Sequence, residues 1–435
     1  MFGLFLILPV FVLYAPGLEG ATPLTVGIAL GAYGLTQAVL QVPFGMLSDR
    51  YGRKRMLSIG LLLFVFGSVV AALSSSIEGI ILGRAIQGTG AISAVVLATL
   101  SDLTREQTRT KAMAVVGVSI GFSFLLALML GSSLVQWHGL SGLFWITACL
   151  AAAAVLVVWL TVPTATRVSA SVEIQPVRSQ ISAVLFNRQL QGLNLGIFVL
   201  HMTLMALFIA VPVGLRDILG LVSASHWQFY VPVLVCSVFG MVPLLIYGMR
   251  RHRTFAVFRL AIALLLAAQL ILIIGTDQVA FLIAGVWLFF VGFNLLEAML
   301  PSLMSRLAPA ASKGTALGIY NTFQFLGVFA GGVVGGLMYG TWGVAGVYGF
   351  AACAVFVWLV LALSTSAPVL LESLTLRLAD TADQEQSDVL QRLSQAPGVR
   401  EAVILPGRDL VYLKVDPAEV DEDALREIDG VVAVD

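Results

Sequence analysis

Charge is scarce in this chain of 435 residues: 11% are Asp, Glu, Lys or Arg, and 59% are hydrophobic. A soluble domain carries about 25% charge and about 45–50% apolar residues, so water is not the solvent for most of this sequence. Cysteine is rarer still. Cys149, Cys236 and Cys353 stand singly inside apolar runs. No Cys-x-x-Cys or paired spacing exists to hold a metal or a disulfide, and the three thiols are expected to pack as buried small hydrophobes. No Gly-rich phosphate loop of the Walker type occurs, so nothing points to ATP. No cofactor, no metal, no nucleic-acid partner and no enzymatic activity are expected. The chain also lacks a basic leader with a small-residue cleavage site, so its first run does not read as a signal peptide. That run ends near Pro16. It falls short of the roughly 20 residues that cross a bilayer, and a truncated first helix is expected.

What is present is apolar length. The mean hydropathy is +0.98. Eleven further apolar segments lie at 24–47, 56–75, 77–101, 112–136, 141–162, 189–213, 227–249, 255–275, 279–305, 314–338 and 344–366. Each is about membrane length and none alternates like a barrel strand, so each is expected to be a helix in lipid. Fifteen Lys and Arg of the loops, from Arg50 to Lys313, fall on one side of this arrangement, and only Arg216 falls on the other. The basic side is therefore cytoplasmic, together with the C-terminus. An inner-membrane, multi-pass protein in contact with the lipid bilayer is expected, working as a monomer.

Charge is dense in one place, Gly45-Met46-Leu47-Ser48-Asp49-Arg50-Tyr51-Gly52-Arg53-Lys54-Arg55. Gly45 is expected to let its helix approach a neighbour closely, and Gly52 to permit a tight turn. This spacing resembles the signature loop between the second and third helices of the major facilitator superfamily. The resemblance implies a twelve-helix fold made of two six-helix halves. It also implies that Asp49, Arg50 and Arg53, with Asp102 at the end of the fourth helix, form a conformational lock. Arg53 is expected to pair with Asp102, and Asp49 to face the helix start near Gly314. Arg250-Arg251-His252-Arg253 occupies the matching place in the second half, keeps the charge and lacks the Gly-x-x-x-Asp part. Such internal repetition is usual in transporter folds.

Ionisable groups inside the apolar segments are functional candidates, because each costs about 2.5–3.5 kcal/mol to insert. Arg84 and Gln87 share a helix face in Arg84-Ala85-Ile86-Gln87-Gly88, which resembles a second superfamily signature whose arginine is implicated in proton transfer. The competing reading is an arginine that snorkels to the outer interface. Glu297 lies in the segment at 279–305 on one face with Trp287, Phe290 and Asn294. It suits a group that binds and releases a proton, or else it pairs with a loop arginine. Tyr33, Gln37 and Gln41 stripe another helix, Asn321 and Gln324 another, and His201 a third. These side chains line a cavity or only join neighbouring helices. Gly117, Gly121 and Gly131 resemble the antiporter-associated signature, with Ser132 where that signature has proline.

The last stretch has a different solvent. Residues 367–435 hold 6 basic and 15 acidic residues, whereas 1–366 hold 18 and 9. Strands are expected at Leu374–Leu378, Val399–Leu405, Asp409–Val415 and Val431–Val434, and helices at Asp383–Ser394 and Pro417–Ile428. That order, βαββαβ, is a ferredoxin-like α+β unit. The expected domains are 1–162 and 189–366 as six-helix halves, a cytoplasmic linker at 163–188, and 367–435. The acidic face around Glu419, Asp421, Glu422 and Asp423 either docks on basic cytoplasmic loops or is simply solvated. Together with the resemblance, these features imply a secondary active transporter that exchanges a small molecule for protons by alternating access. The alternative is a membrane-embedded sensor or facilitator regulated through its cytoplasmic domain.

Overall fold

The computed structural model describes residues 2–104, 106–163, 181–182, 184–251, 253–309, 313–365, 372–378, 383–404, 410–416, 419–421, 425 and 431–434. The linker expected at 163–188 and the helix expected at Pro417–Ile428 lie largely outside them. Two short helices open the chain, α1 (Phe2–Phe5) and α2 (Phe11–Tyr14). They are followed by α3 (Pro23–Tyr51), α4 (Arg53–Leu73), α5 (Ile77–Thr89), α6 (Ile92–Leu103) and α7 (Glu106–Thr161). Next come α8 (Arg188–Asp217), α9 (Trp227–Arg250), α10 (Thr254–Ile274), α11 (Val279–Leu307) and α12 (Lys313–Ser364). The C-terminal part holds β1 (Glu372–Leu378), α13 (Asp383–Gln395), β2 (Val399–Ile404), β3 (Leu410–Val415) and β4 (Val431–Val434).

Nine helical stretches among the described residues are long and apolar enough to cross a membrane. Two of them run for 51 residues, Lys111–Thr161 and Gly314–Ser364. At 1.5 Å per residue such a stretch is about 77 Å long, more than twice the hydrocarbon thickness. Each turns back at a glycine with positive φ, Gly139 at 64° and Gly343 at 63°, so each contains two crossings. The segment expected at 77–101 is not one helix. It breaks at Gly90 and Ala91 into α5 and α6, where a side chain on Gly90 would run into the carbonyl of Gly60. The cysteine expectation is corrected too. Cys149, Cys236 and Cys353 are all exposed, on the same kind of surface as Leu73, Leu160 and Phe239. In a bilayer that surface meets acyl chains, which solvate a thiol as well as a core does.

Two compact units are distinguished by internal contacts. The first is Met1–Ser169, Asn194–Ala298 and Asn321–Ser364. Its helices are held by backbone proximity as much as by side chains. Along one seam α3 and α12 touch at Gly27, Gly332 and Gly336. A side-chain carbon on Gly27 would overlap the Gly332 carbonyl, and one on Gly31 would lie 2.8 Å from the Phe329 carbonyl. Lipid offers no hydrophobic drive for helix pairing, so small residues that let backbones meet supply the packing energy. Aromatic rings continue the contact between α7 and α8, where Phe124 meets Phe208 edge-on at 5.9 Å. Lys54 donates to the carbonyls of Trp159 and Val162 at the end of α7, and Arg259 donates to that of Ala362 near the end of α12.

The second unit is Ala170–Leu193, Met299–Tyr320 and Thr365–Asp435. Its sheet runs β2-β3-β1-β4, with every neighbouring pair antiparallel. Leu376, Val389, Leu393, Val411, Leu413, Val415 and Leu425 form its core. Alternation along β3 places Val411, Leu413 and Val415 on the core face and Lys414 on the other.

The glycine seam makes a testable claim. Gly27→Ala should force α3 and α12 apart and destabilise the folded protein by about 1–3 kcal/mol, as overpacking does, read as a lower thermal midpoint in detergent. An unchanged midpoint would mean that the helices part without resistance.

Candidate functional site

The charged loop is built by one positive dihedral. Gly52 has φ 92° and is the single residue between α3 and α4. The turn throws Arg53 back along α3, where its guanidinium reaches Ser48 and Asp49. Arg53 Nε also donates to Asp102 Oδ2 at 2.9 Å, tying the end of α6 to the loop. Arg50 lies outside this knot, over the ring of Tyr51. The expectation for Gly45 needs correction. A side-chain carbon there would sit 3.8 Å from Ala94, an ordinary contact, so no close approach depends on it. Gly117 and Gly121 likewise face open space.

Arg84 does not snorkel. It is 2% exposed, and among the described residues no carboxylate pairs with it. Its charge is held by dipoles and a ring instead. Nη1 donates to Gln87 Oε1 at 3.0 Å, Nε and Nη2 point at the carbonyls of Ala29 and Leu30 at 3.4 Å, and the guanidinium lies 5.1 Å from the Tyr33 ring. Gln87 is fixed in turn by donating to Ser68 Oγ at 2.7 Å. The spacing Arg84…Gln87 puts both on one face of α5, and Gly88 lets that face lie against the backbone at Tyr33. Tyr33 also meets Phe325 of α12 edge-on at 6.3 Å.

Beside Phe325, Gln324 Nε2 donates to His201 Nε2 at 2.8 Å. The same ring nitrogen lies 3.9 Å from Glu297 Oε2, and 40% of the Glu297 side chain remains open. Glu297 thus meets His201 of α8, and among the described residues no loop arginine pairs with it. His201 also packs against Phe293 at 5.8 Å. Asn294, one turn away, is turned elsewhere and donates to Ser237 of α9 at 2.9 Å. Trp287 lies near Gly240 of α9. Gln37 and Gln41 are buried on α3. Gln37 Nε2 donates to Gln41 Oε1 at 3.1 Å and to Ser93 Oγ at 3.2 Å. Gln37 Oε1 and Gln41 Nε2 are left without a partner among the described residues. Asn321 is half-buried on α12.

The structure therefore gathers the candidates into two polar groups, Tyr33–Arg84–Gln87 and His201–Gln324–Glu297, next to each other along the α3–α12 seam. Ser68 completes the first, while Ser93 and Ser237 hold Gln37 and Asn294, which belong to neither. Sequence reading missed these three, because a single hydroxyl in an apolar helix carries no period and no charge.

The sequence profile of the Major Facilitator Superfamily matches residues 1–332. Inner membrane transport protein YajR of Escherichia coli (strain K12) is 44% identical over 418 residues, which is 96% of this chain and 91% of that protein. Multidrug resistance protein 1 of Bacillus subtilis (strain 168) is 25% identical over 72% of this chain and 80% of that one. A solved bacterial homologue of the human lysosomal transporter Spinster, inward-facing and occupied, covers 83% of this chain and 92% of its own, with TM-score 0.65 and 14% identity. The human organic anion transporter MFSD10 covers 83% and 95%, with TM-score 0.59 and 20% identity. Identities this low carry the fold and nothing about substrate.

The Arg84 cluster can be probed by a double-mutant cycle. Gln87→Leu alone leaves a buried cation short of an acceptor and should destabilise by about 1–3 kcal/mol. Arg84→Met combined with Gln87→Leu should recover part of that loss. Additive effects in chemical or thermal unfolding would show that the two side chains do not work as a pair.

Proposed function

Because the chain belongs to the major facilitator superfamily, whose members are membrane transporters and not enzymes, we propose that its secondary transport is proton-coupled export of a small molecule across the inner membrane. Glu297 is the proton carrier in this reading. The observation that carries it is the geometry of that carboxylate. It sits within a membrane-spanning helix, 3.9 Å from His201 and still two-fifths open. Gln324 holds the imidazole in place, so the acid faces a fixed dipole rather than a mobile cation. Its Oε2 is itself buried and has no hydrogen-bond partner among the described residues, and an acid without a permanent counter-charge can bind and release a proton as the site opens to either side. Proton and substrate then compete for the same end of the site, which makes the exchange obligatory. One proton moving through 100 mV releases about 2.3 kcal/mol, enough for roughly a fifty-fold gradient at about 1.36 kcal/mol per tenfold.

Gln37, Gln41 and Asn321 line the substrate path, with the unpartnered amide atoms of the two glutamines available to a polar ligand. The name of the Bacillus subtilis relative, Multidrug resistance protein 1, favours export over uptake. The cytoplasmic side is the side of the Arg53–Asp102 knot, in keeping with the distribution of basic loops. The C-terminal unit is a ferredoxin-like domain and, by the same charge rule, cytoplasmic. Its antiparallel order β2-β3-β1-β4 is the order a split βαββαβ unit produces.

Two measurements test this. In proteoliposomes with an internal pH-sensitive dye, Glu297→Gln should abolish proton-driven flux and leave substrate binding measurable. A variant that still extrudes substrate against a gradient would make the acid structural. Asp49→Asn removes one contact of Arg53, loosens the knot and should depress transport several-fold without unfolding the protein. Unaltered labelling of cysteines placed on the cytoplasmic side in that variant would remove the knot from the transport cycle.

A further inference from the structure

The two halves differ at one pair of equivalent helix ends. In the first half the end reads Ser101-Asp102-Leu103, and in the second it reads Ser305-Arg306-Leu307. The acid of the first repeat has become a base. Asp102 is gripped by Arg53 from the signature loop. Arg306 cannot be gripped in that way, because the matching loop offers Arg250, Arg251 and Arg253, and like charges repel. Its helix end nevertheless has a cation on it. Lys414 Nζ, from the C-terminal domain, donates to the carbonyl of Arg306 at 2.8 Å and to that of Ala308. Lys414 is 3% exposed, so its charge is withdrawn from water at this point.

The chemistry of the contact is specific. The last four carbonyls of a helix have no partner within it and carry the negative end of its dipole. Pro309 follows directly and prevents another turn from covering them. An ammonium group brings three donors and a full positive charge. The lysine is also held firmly from behind. Strand β3 is flanked by β2 and β1 on both sides, and Lys414 lies opposite Glu401 and Ser373 in the two ladders. The core residues on the other face of β3 prevent the strand from turning over. The acidic surface expected to dock is used otherwise in part, since Glu419 pairs with Arg400 inside the domain at 2.8 Å. Glu422 and Asp423 lie outside the described residues.

We propose that the C-terminal domain supplies in the second half the latch that the signature loop supplies in the first: Lys414 holds the cytoplasmic end of α11 as Arg53 holds the end of α6. Lys414 is a positioning residue, because α11 also carries Glu297. Seating the domain fixes the end of that helix, and unseating it frees the end. The consequence for transport rests on the reading of Glu297 given above, whereas the docking itself does not.

The test uses the full-length protein in lipid nanodiscs. Hydrogen–deuterium exchange is compared for the native chain, Lys414→Met and Lys414→Arg. Exchange across 303–308 should rise at least five-fold in Lys414→Met, with β1 and β3 still protected, and Lys414→Arg should restore most of the protection. Flux in proteoliposomes should change at least three-fold in Lys414→Met and return with Lys414→Arg. Should Lys414→Met unfold the domain, a second pair of changes decides. Lys414→Cys with Ala308→Cys, in a chain whose three native cysteines are replaced by serine, should be joined by a bifunctional methanethiosulfonate cross-linker of about lysine length, which alters flux and is reversed by reductant. Unchanged exchange at 303–308 with a folded domain, or no cross-link with that reagent, would overturn the latch. Raised exchange with unaltered flux would overturn its coupling to transport. Glu297→Gln with normal flux but raised exchange in Lys414→Met would sink the proton reading alone.

Discussion

Contact between helix backbones is the constraint on which the rest of this protein depends. In lipid the hydrophobic effect no longer draws helices together, so they associate by close packing and by a few polar contacts. Gly27 against Gly332 closes the α3–α12 seam. Gly88 against Tyr33 closes α5 onto α3. Only at those separations do carbonyls of Ala29 and Leu30 come within reach of Arg84. The polar groups are therefore consequences of the glycines. A larger residue at either position removes the packing and the dipoles that make a buried guanidinium tolerable.

Arg84 shows how a charge survives without a partner of opposite sign. Two carbonyls, an amide oxygen and the face of Tyr33 share it. None neutralises it, so the field it casts on the neighbouring seam persists. The same logic applies on the other side of Tyr33, where Glu297 faces a histidine fixed by a glutamine.

Much of this was legible from residues alone. Apolar length announced the helices, and nine stretches among the described residues have that length. Gly52 announced a tight turn, and the resemblance of the loop announced the pairing of Arg53 with Asp102; the structure has both. Alternation in 410–415 announced a strand with one buried face, and β3 has it. Other features were not legible. The break at Gly90 cannot be read from an unbroken apolar run, because it depends on how near Gly60 lies. The cysteines seemed destined for the interior, since hydropathy does not distinguish lipid from core. Gly45 was credited with a close contact that belongs to other glycines.

By itself the sequence determined the class of solvent, the presence of many membrane-length helices, and which side chains were too polar to be there without a reason. These follow from composition and period, which are local properties. Tertiary structure alone decided which of those side chains meet. Arg84 and Gln87 are neighbours by spacing, but Ser68 joins them from another helix. His201 stands 123 residues before Gln324 and well before Glu297 in the chain, and the three lie on three helices. Lys414 reads as one base in an acidic domain until β3 points it at the end of α11. A contact between distant segments depends on the rotation and separation of whole helices, and no period within one segment records either.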